Sequence, residues 1–398
     1  MERLLDEVPA LLLVGPRATG KTTTASRYAR TVVSLDKPAE AAAFEADPDV
    51  ALRGLQEPVL VDEWQAVPRV LGALKRSIDT DPRPGRYLVT GSVRADLEAE
   101  TWPGTGRLLR LSLLPMTTAE QLGRPDVTPL LDRLAGGADL EPAKDTPDLL
   151  EYLELALKGG YPEAALTLSA SIRQRWLESY VDQVLTRDAE LVEEGRDPER
   201  LGRYFQACAL NTAGVPEHKS LYDAAGINRK TAVAYDRLLE NLMITTRLLA
   251  WSTNRLKRLT RSPKRYLIDC SLLAGILHLD AAAVLRDGDL MGRVLDTFVA
   301  AQLRAEHTVS ELRPRLYHLR EQNGLHEVDI IGELGADSVI AIEVKAASAP
   351  GKKDARHLAW LRDKLGDLFV AGVLLHTGPR SFSLEDRITA APISTLWA

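Results

Sequence analysis

The stretch Gly15-Pro16-Arg17-Ala18-Thr19-Gly20-Lys21-Thr22 constrains this chain more than any other. It follows the apolar run Ala10-Leu11-Leu12-Leu13-Val14 and precedes Thr23, Thr24, Ala25 and Tyr28. That order reads as a buried strand, a glycine-rich turn and a helix. The spacing is G-x-x-x-x-G-K-[ST], in which the glycines let consecutive backbone N–H groups turn inward around a phosphate chain. Lys21 is placed to reach the β- and γ-phosphate oxygens, and Thr22 to offer a hydroxyl to Mg²⁺. The helix N-terminus adds its partial positive charge. The turn, with Thr23, is the expected site for ATP and Mg²⁺.

Further strands follow at the spacing such a turn needs. Residues 32–36 form a second short strand, and Pro38 opens an alanine-rich helix. Pro58-Val59-Leu60-Val61-Asp62-Glu63-Trp64-Gln65 is an apolar strand ending in two acids. A buried parallel strand delivers its last residues to the ligand crevice. Asp62 is then placed to hold Mg²⁺ through water, and Glu63 to polarise the attacking water. Taken alone, the same residues read as a strand running into a solvated acidic turn.

Arg86-Tyr87-Leu88-Val89-Thr90-Gly91-Ser92 is another apolar strand ending in hydroxyls, and it fits between the other two. Thr90 or Ser92 would sense the γ-phosphate or position the water, or simply end the strand. A strand in that place points to additional-strand ATPases rather than simple kinases. Residues 101–117 give a loop and a fifth strand. Arg107, just before that strand, is a candidate to complement phosphate charge in its own subunit or a neighbour's, with Arg94 as rival. Each is otherwise a plain surface arginine.

Composition sets the outer bounds. The 398 residues suffice for two or three domains, and 45 % hydrophobic with 27 % charged residues is ordinary for a globular chain. The net charge of −6 gives no global sign of nucleic-acid binding, so a DNA partner would need a local basic patch. Cys208 and Cys270 lie far apart and read as small core residues in a reducing compartment. Acids interrupt the N-terminal apolar stretch, and no run approaches the ~18 apolar residues of a membrane span. A cytoplasmic protein without membrane contact is expected.

Residues 123–147 are rich in Gly, Pro, Asp and Ala and read as a loop or mobile connection. Helical periodicity returns from Asp148, stops at Gly159-Gly160, and resumes over residues 171–190; together these segments resemble a helical lid. A helix over 197–214, a short helix and glycine turn over 220–227, a capped helix from Asn228, and a strand over 245–251 follow the order of a winged helix-turn-helix. There Asn228, Arg229 and Lys230 would face phosphates or base edges; the alternative is a protein-docking module. Residues 254–265 carry Arg255, Lys257, Arg258, Arg261, Lys264 and Arg265 without one acid. They read as a phosphate-binding patch or as a solvated wing.

From Lys264 onward the chain reads as a separate α/β unit. Residues 266–269 form a strand, residues 292–306 an amphipathic helix, and residues 327–331 and 338–345 adjacent strands. Alternation puts Glu343 and Lys345 on one face, where Asp329 of the partner strand can meet them. Asp269 reads as a structural acid at a strand end.

Five segments together carry a family resemblance: LLLVGPRATGKTT, VLVDEWQAVP, RYLVTGS, GTGRLLRLSLLPMTTAE and GGYPEAA. The chain resembles the bacterial and archaeal AAA+ ATPases with an attached DUF4143 domain, over nearly its whole length. Trp64 departs from the smaller aliphatic residue usual there. Asp329 followed by Glu343-Val344-Lys345 also resembles the PD-(D/E)xK nucleases, in which carboxylates hold Mg²⁺ and the lysine stabilises the attacking oxygen. That resemblance implies a further metal ligand at Asp296, where the DUF4143 pattern usually has the longer Glu. Such a fold also persists as a non-cutting binding platform.

The expected architecture is α/β. It comprises a P-loop AAA+-like core (1–122), a linker and helical lid (123–196), a winged helix-turn-helix (197–263) and a nuclease-like domain (264–398). The expected function is ATP hydrolysis coupled to DNA binding, with remodelling or metal-dependent cutting of branched DNA, by a homo-oligomer that supplies an arginine across subunits. The alternative is a nucleotide-dependent regulatory switch whose later domains dock protein.

Overall fold

A computed structural model describes residues 1–91, 105–189, 197–321, 324–335 and 338–398. Ser92 and Arg94 lie outside the described residues. The chain divides into two compact units, Met1–Leu114 with Asn241–Met243, and Pro115–Glu240 with Ile244–Ala398.

The first unit is built on five strands: β1 (Ala10–Val14), β2 (Thr31–Ser34), β3 (Val59–Asp62), β4 (Tyr87–Gly91) and β5 (Leu109–Ser112). Their spatial order is β2-β3-β4-β1-β5, and every pairing is parallel. As expected, β4 lies between the P-loop strand and the strand ending in Asp62. β1 is buried along its whole length because both its faces are apolar. Leu11 and Leu13 pack with Leu5, Ala25, Leu60 and Leu88, while Ala10, Leu12 and Val14 join the larger core on the other face. The helix Val70–Thr80 seals that larger core with Val70, Leu71, Ala73, Leu74 and Ile78.

The expected loop at 123–147 contains a helix, Leu130–Ala135, whose Leu130, Leu131 and Leu134 are buried. Leu131 packs where Gly332 has no side chain, and the Ser310 hydroxyl donates to Asp132 at 2.6 Å. Three leucines outweigh the surrounding Gly and Pro because the sheet beside them offers apolar surface.

The helices Leu149–Lys158 and Ala170–Gln183, read as a lid, pack within this second unit. The first lies against Ala281–Leu285 and Gly288–His307, the second against Ser271–Leu277. Asp269 accepts the Gly160 N–H at 2.9 Å and the Ser271 N–H at 2.8 Å, the structural role expected of it. Cys208 and Cys270 are buried and unpaired with each other.

Helices Pro198–Leu210, His218–Ala224 and Arg229–Asn241 precede an antiparallel pair, β6 (Thr245–Leu248) and β7 (Lys264–Leu267). This is the winged order. The strand expected to open the C-terminal α/β unit is instead the second strand of that wing, because its register partner, Thr245 to Leu248, lies earlier in the chain.

The remaining strands are β8 (Arg315–Glu321), β9 (His326–Glu333), β10 (Val339–Val344), β11 (Phe369–His376), β12 (Phe382–Glu385) and β13 (Ile388–Pro392). They form one mixed sheet in the order β12-β13-β11-β10-β9-β8. β9 and β10 pair antiparallel as expected, with Ile342 facing Ile330.

Candidate nucleotide site and C-terminal carboxylate cluster

The loop after β1 alternates backbone hands: Ala18 has φ +59° and Gly20 φ +84°. Left-handed residues among right-handed ones turn successive N–H groups to one side, the nest that holds anions. The Thr19 hydroxyl donates to the Pro16 carbonyl at 2.9 Å, fixing the turn from inside. Gly15 lies so close to the Leu113 carbonyl that a Cβ there would collide with it. Lys21 is only 6 % exposed and folds back on its own loop, donating to the carbonyls of Gly15 at 3.0 Å and Pro16 at 2.7 Å. Burial lowers its pKa to about 8, although Glu63 and Asp62 pull the other way.

Thr22 and Asp62, forty residues apart, meet: the hydroxyl donates to Oδ1 at 2.8 Å. The Thr90 hydroxyl donates to the same oxygen, so the end of β4 joins the group. A hydroxyl and a carboxylate side by side are hard oxygen donors suited to Mg²⁺, which takes one or two protein oxygens and completes its shell with water and phosphate. Thr22 and Thr23 are exposed at the loop, and Arg17 is half-buried. The donors therefore fit ATP and Mg²⁺.

Glu63 follows β3 in a left-handed conformation, φ +52°. The Gln65 side-chain amide donates to its carboxylate. Trp64 is 2 % exposed and lies against the end of β4, where a Cβ on Gly91 would overlap the indole. The sequence showed Trp64 only as an unusual residue; the glycine opposite it was the available signal.

Arg107 is not with these groups. It precedes the N-terminal end of β5, whereas the P-loop follows the C-terminal end of the parallel β1, and it pairs with Asp79 at 2.9 Å on the surface. Its expected role at its own subunit's phosphate is corrected by strand direction.

In the second unit the cationic segment is largely turned inward. Arg258 is 6 % exposed and forms a two-pronged pair with Glu333, at 2.9 and 2.6 Å. Arg265 grips Asp236 the same way, at 2.5 and 2.8 Å, and Tyr204 donates to Asp236 at 2.7 Å. Arg261 lies 3.6 Å from Glu321. Three cations of the expected phosphate patch, Arg258, Lys264 and Arg265, are thus internal ties, while Arg255 and Lys257 stay exposed. On the helix Arg229–Asn241 the picture differs. Asn228 accepts the Thr231 N–H as an N-terminal cap. Arg229, Lys230 and Arg237 are exposed and in no ion pair among the described residues.

Asp296, Asp329, Glu343 and Lys345 come together as expected, with an addition the sequence concealed. Lys264, 2 % exposed, inserts its ammonium between Asp296, at 2.5 Å, and Asp329, at 2.8 Å. Tyr266 donates to the other Asp296 oxygen at 3.0 Å, and the Val344 N–H to the other Asp329 oxygen at 3.0 Å. Lys345 lies 3.1 Å from Glu343, which is 1 % exposed. Burial pushes the Glu343 carboxyl up to about 7. Burial opposes charge on Lys264 too, but the two aspartates outweigh it and hold its pKa above the lysine range. Among the described residues no group of three or more His, Cys, Asp or Glu is arranged to hold a metal ion. With the Lys264 ammonium between them, Asp296 and Asp329 as placed do not leave room to share Mg²⁺, while both Glu343 oxygens are buried without a hydrogen-bond partner apart from the Lys345 ion pair.

Residues 7–122 match an AAA domain and residues 291–396 a domain of unknown function, DUF4143. The chain joins an AAA domain to a C-terminal DUF4143 domain. Between them, residues 149–283 match a second domain of unknown function, DUF8612. Two uncharacterized mycobacterial proteins, Mb2031c of Mycobacterium bovis and Rv2008c of Mycobacterium tuberculosis, are each 28 % identical over 98 % of this chain and 82 % of their own length. Among solved structures, the Walker-type ATPase PABY2304 of Pyrococcus abyssi is 14 % identical, with a TM-score of 0.39 over 70 % of this chain and 93 % of that one. The Aeropyrum pernix ORC1 protein in complex with DNA is 15 % identical, with a TM-score of 0.22 over 70 % of this chain and 88 % of that one. The AAA domain carries the P-loop, Asp62, Glu63 and Thr90. No helix among the described residues is long and apolar enough to cross a membrane.

Proposed function

We propose that this protein hydrolyses ATP in its AAA domain and couples nucleotide state to DNA binding in its second unit. The observation that carries the reading is the meeting of Thr22, Asp62 and Thr90 beside a loop whose lysine is already turned inward. Gly15 through Gly20 would cradle the phosphates with backbone N–H groups, Lys21 would neutralise them, and Thr22 and Asp62 would hold Mg²⁺, directly and through water. Bound there, Mg²⁺ supplies charge neutralisation on the phosphates. Glu63 would take the proton of the attacking water. Gln65 holds that carboxylate and limits its freedom.

For DNA, the support is the exposed row of Arg229, Lys230 and Arg237 on the second helix of a winged helix-turn-helix. A homo-oligomer belongs to this reading, with Arg107 a candidate to act on a neighbour's phosphate. The second reading, a nucleotide switch that docks protein, draws on Arg258, Lys264 and Arg265 being engaged internally rather than offered to a polyanion. Affinity for a labelled DNA duplex across a salt series separates the two. DNA binding gives a steep loss of affinity with salt, shallower in Arg229→Ala/Lys230→Ala. Negligible affinity at low salt leaves the docking reading.

A further inference from the structure

We propose that the Lys264 ammonium is the resident cation of the DUF4143 carboxylate pocket, standing where the nuclease resemblance would put a divalent metal. The pocket is then a structural joint rather than a cutting site.

All four oxygens of the two aspartates are already engaged. Asp296 accepts from Lys264 and Tyr266, and Asp329 from Lys264 and the Val344 N–H. Each of these oxygens keeps a second lone pair, but the ammonium fills the space between the two carboxylates that a shared metal would need. Lys264 is enclosed, with 2 % of its surface exposed. Its strand is fixed by pairing with Leu248, and its neighbour Arg265 is fixed by Asp236 and by a bridge to Gly214. Strand alternation sends Lys264 and Tyr266 to one side and Arg265 to the other. An ammonium retained in so buried a pocket beside a divalent ion would be strongly repelled.

The joint connects three elements distant in sequence: the wing strand β7, the helix Gly288–His307 and the strand β9. Breaking a buried pair by removing one partner leaves an uncompensated charge. Lys264→Met should therefore loosen the protein and, by freeing carboxylate oxygens, create a metal site that the natural chain lacks.

The test uses the full-length chain without nucleotide, with Asp62→Asn in every protein so that the AAA domain contributes no metal site. Mn²⁺ binding is followed by electron paramagnetic resonance, and melting temperature with and without Mn²⁺. With Lys264 present, no Mn²⁺ site dependent on Asp329 is expected and melting is unchanged by the ion. Lys264→Met should melt lower, bind one equivalent of Mn²⁺, recover melting temperature with it, and lose the site again on Asp329→Asn. A site lost on Asp329→Asn while Lys264 is in place overturns the proposal. So does a folded Lys264→Met protein that gains no site. If Lys264→Met does not fold, the comparison of Asp329→Asn with its parent still decides.

Discussion

Thr22 donates its hydroxyl to Asp62 at 2.8 Å, joining the end of the P-loop to the end of β3. The strand order brings these residues together, since only β4 separates β1 from β3. We expect Asp62→Asn to leave ATP binding detectable but to remove its dependence on Mg²⁺, with turnover lower by about 10²-fold or more. Fluorescent-nucleotide titration with and without Mg²⁺ checks this. An Asp62→Asn protein with unchanged turnover would place the metal elsewhere.

Glu63 sits in left-handed backbone and is held by Gln65. Glu63→Gln should bind ATP normally and hydrolyse it about 10²- to 10⁴-fold more slowly, the range of a lost general base. Gly91→Ala should also slow turnover, because its Cβ would push the Trp64 indole and the turn bearing Glu63. Single-turnover hydrolysis reads both. An active Gly91→Ala enzyme would show that Trp64 does not set the Glu63 position.

Lys21 has a pKa of about 8 in the folded chain, lowered mainly by burial. Between about pH 8 and the ordinary lysine range near 10.4, the unfolded chain holds the extra proton, so stability rises with pH there. Below pH 8 the cost of burying the charge is fully present. Nucleotide-free Lys21→Met should therefore melt higher than the natural chain at neutral pH, with the gap closing above about pH 8. A gap independent of pH would mean that the lysine is uncharged or solvated.

The exposed and buried cations of the second unit should behave differently. Arg229→Ala/Lys230→Ala should leave melting unchanged and reduce the salt slope of duplex binding by about 2, roughly 0.9 for each phosphate contact. Arg258→Met removes one partner of a buried pair with Glu333 and should cost about 3–5 kcal/mol of stability. Denaturant melts and DNA titrations distinguish them. A destabilised Arg229→Ala/Lys230→Ala protein, or an unaffected Arg258→Met one, would contradict the assignment of exposed and buried roles.

Much of the first unit was legible because its chemistry is local in sequence. An apolar run ending in Gly15, in Asp62 or in Thr90 announces both a buried strand and what its end carries, and the strand order follows. The cationic segment was legible only as composition. Arg258, Lys264 and Arg265 find Glu333, Asp296, Asp329 and Asp236 between 29 and 75 residues away, and no periodicity reports such distances. Leu130, Leu131 and Leu134 were hidden by the Gly and Pro around them, since burial rather than propensity makes that helix. In the C-terminal sheet the alternation of Glu343 and Lys345 was readable, while the lysine that neutralises the aspartates came from the wing.

ATP turnover by the full-length chain, with and without duplex and branched DNA and alongside Lys21→Ala, tests the central claim most directly. The account predicts Mg²⁺-dependent turnover that disappears in Lys21→Ala and changes when DNA is added. Equal turnover in the two proteins would contradict the nucleotide site, and turnover indifferent to every DNA offered would contradict the coupling.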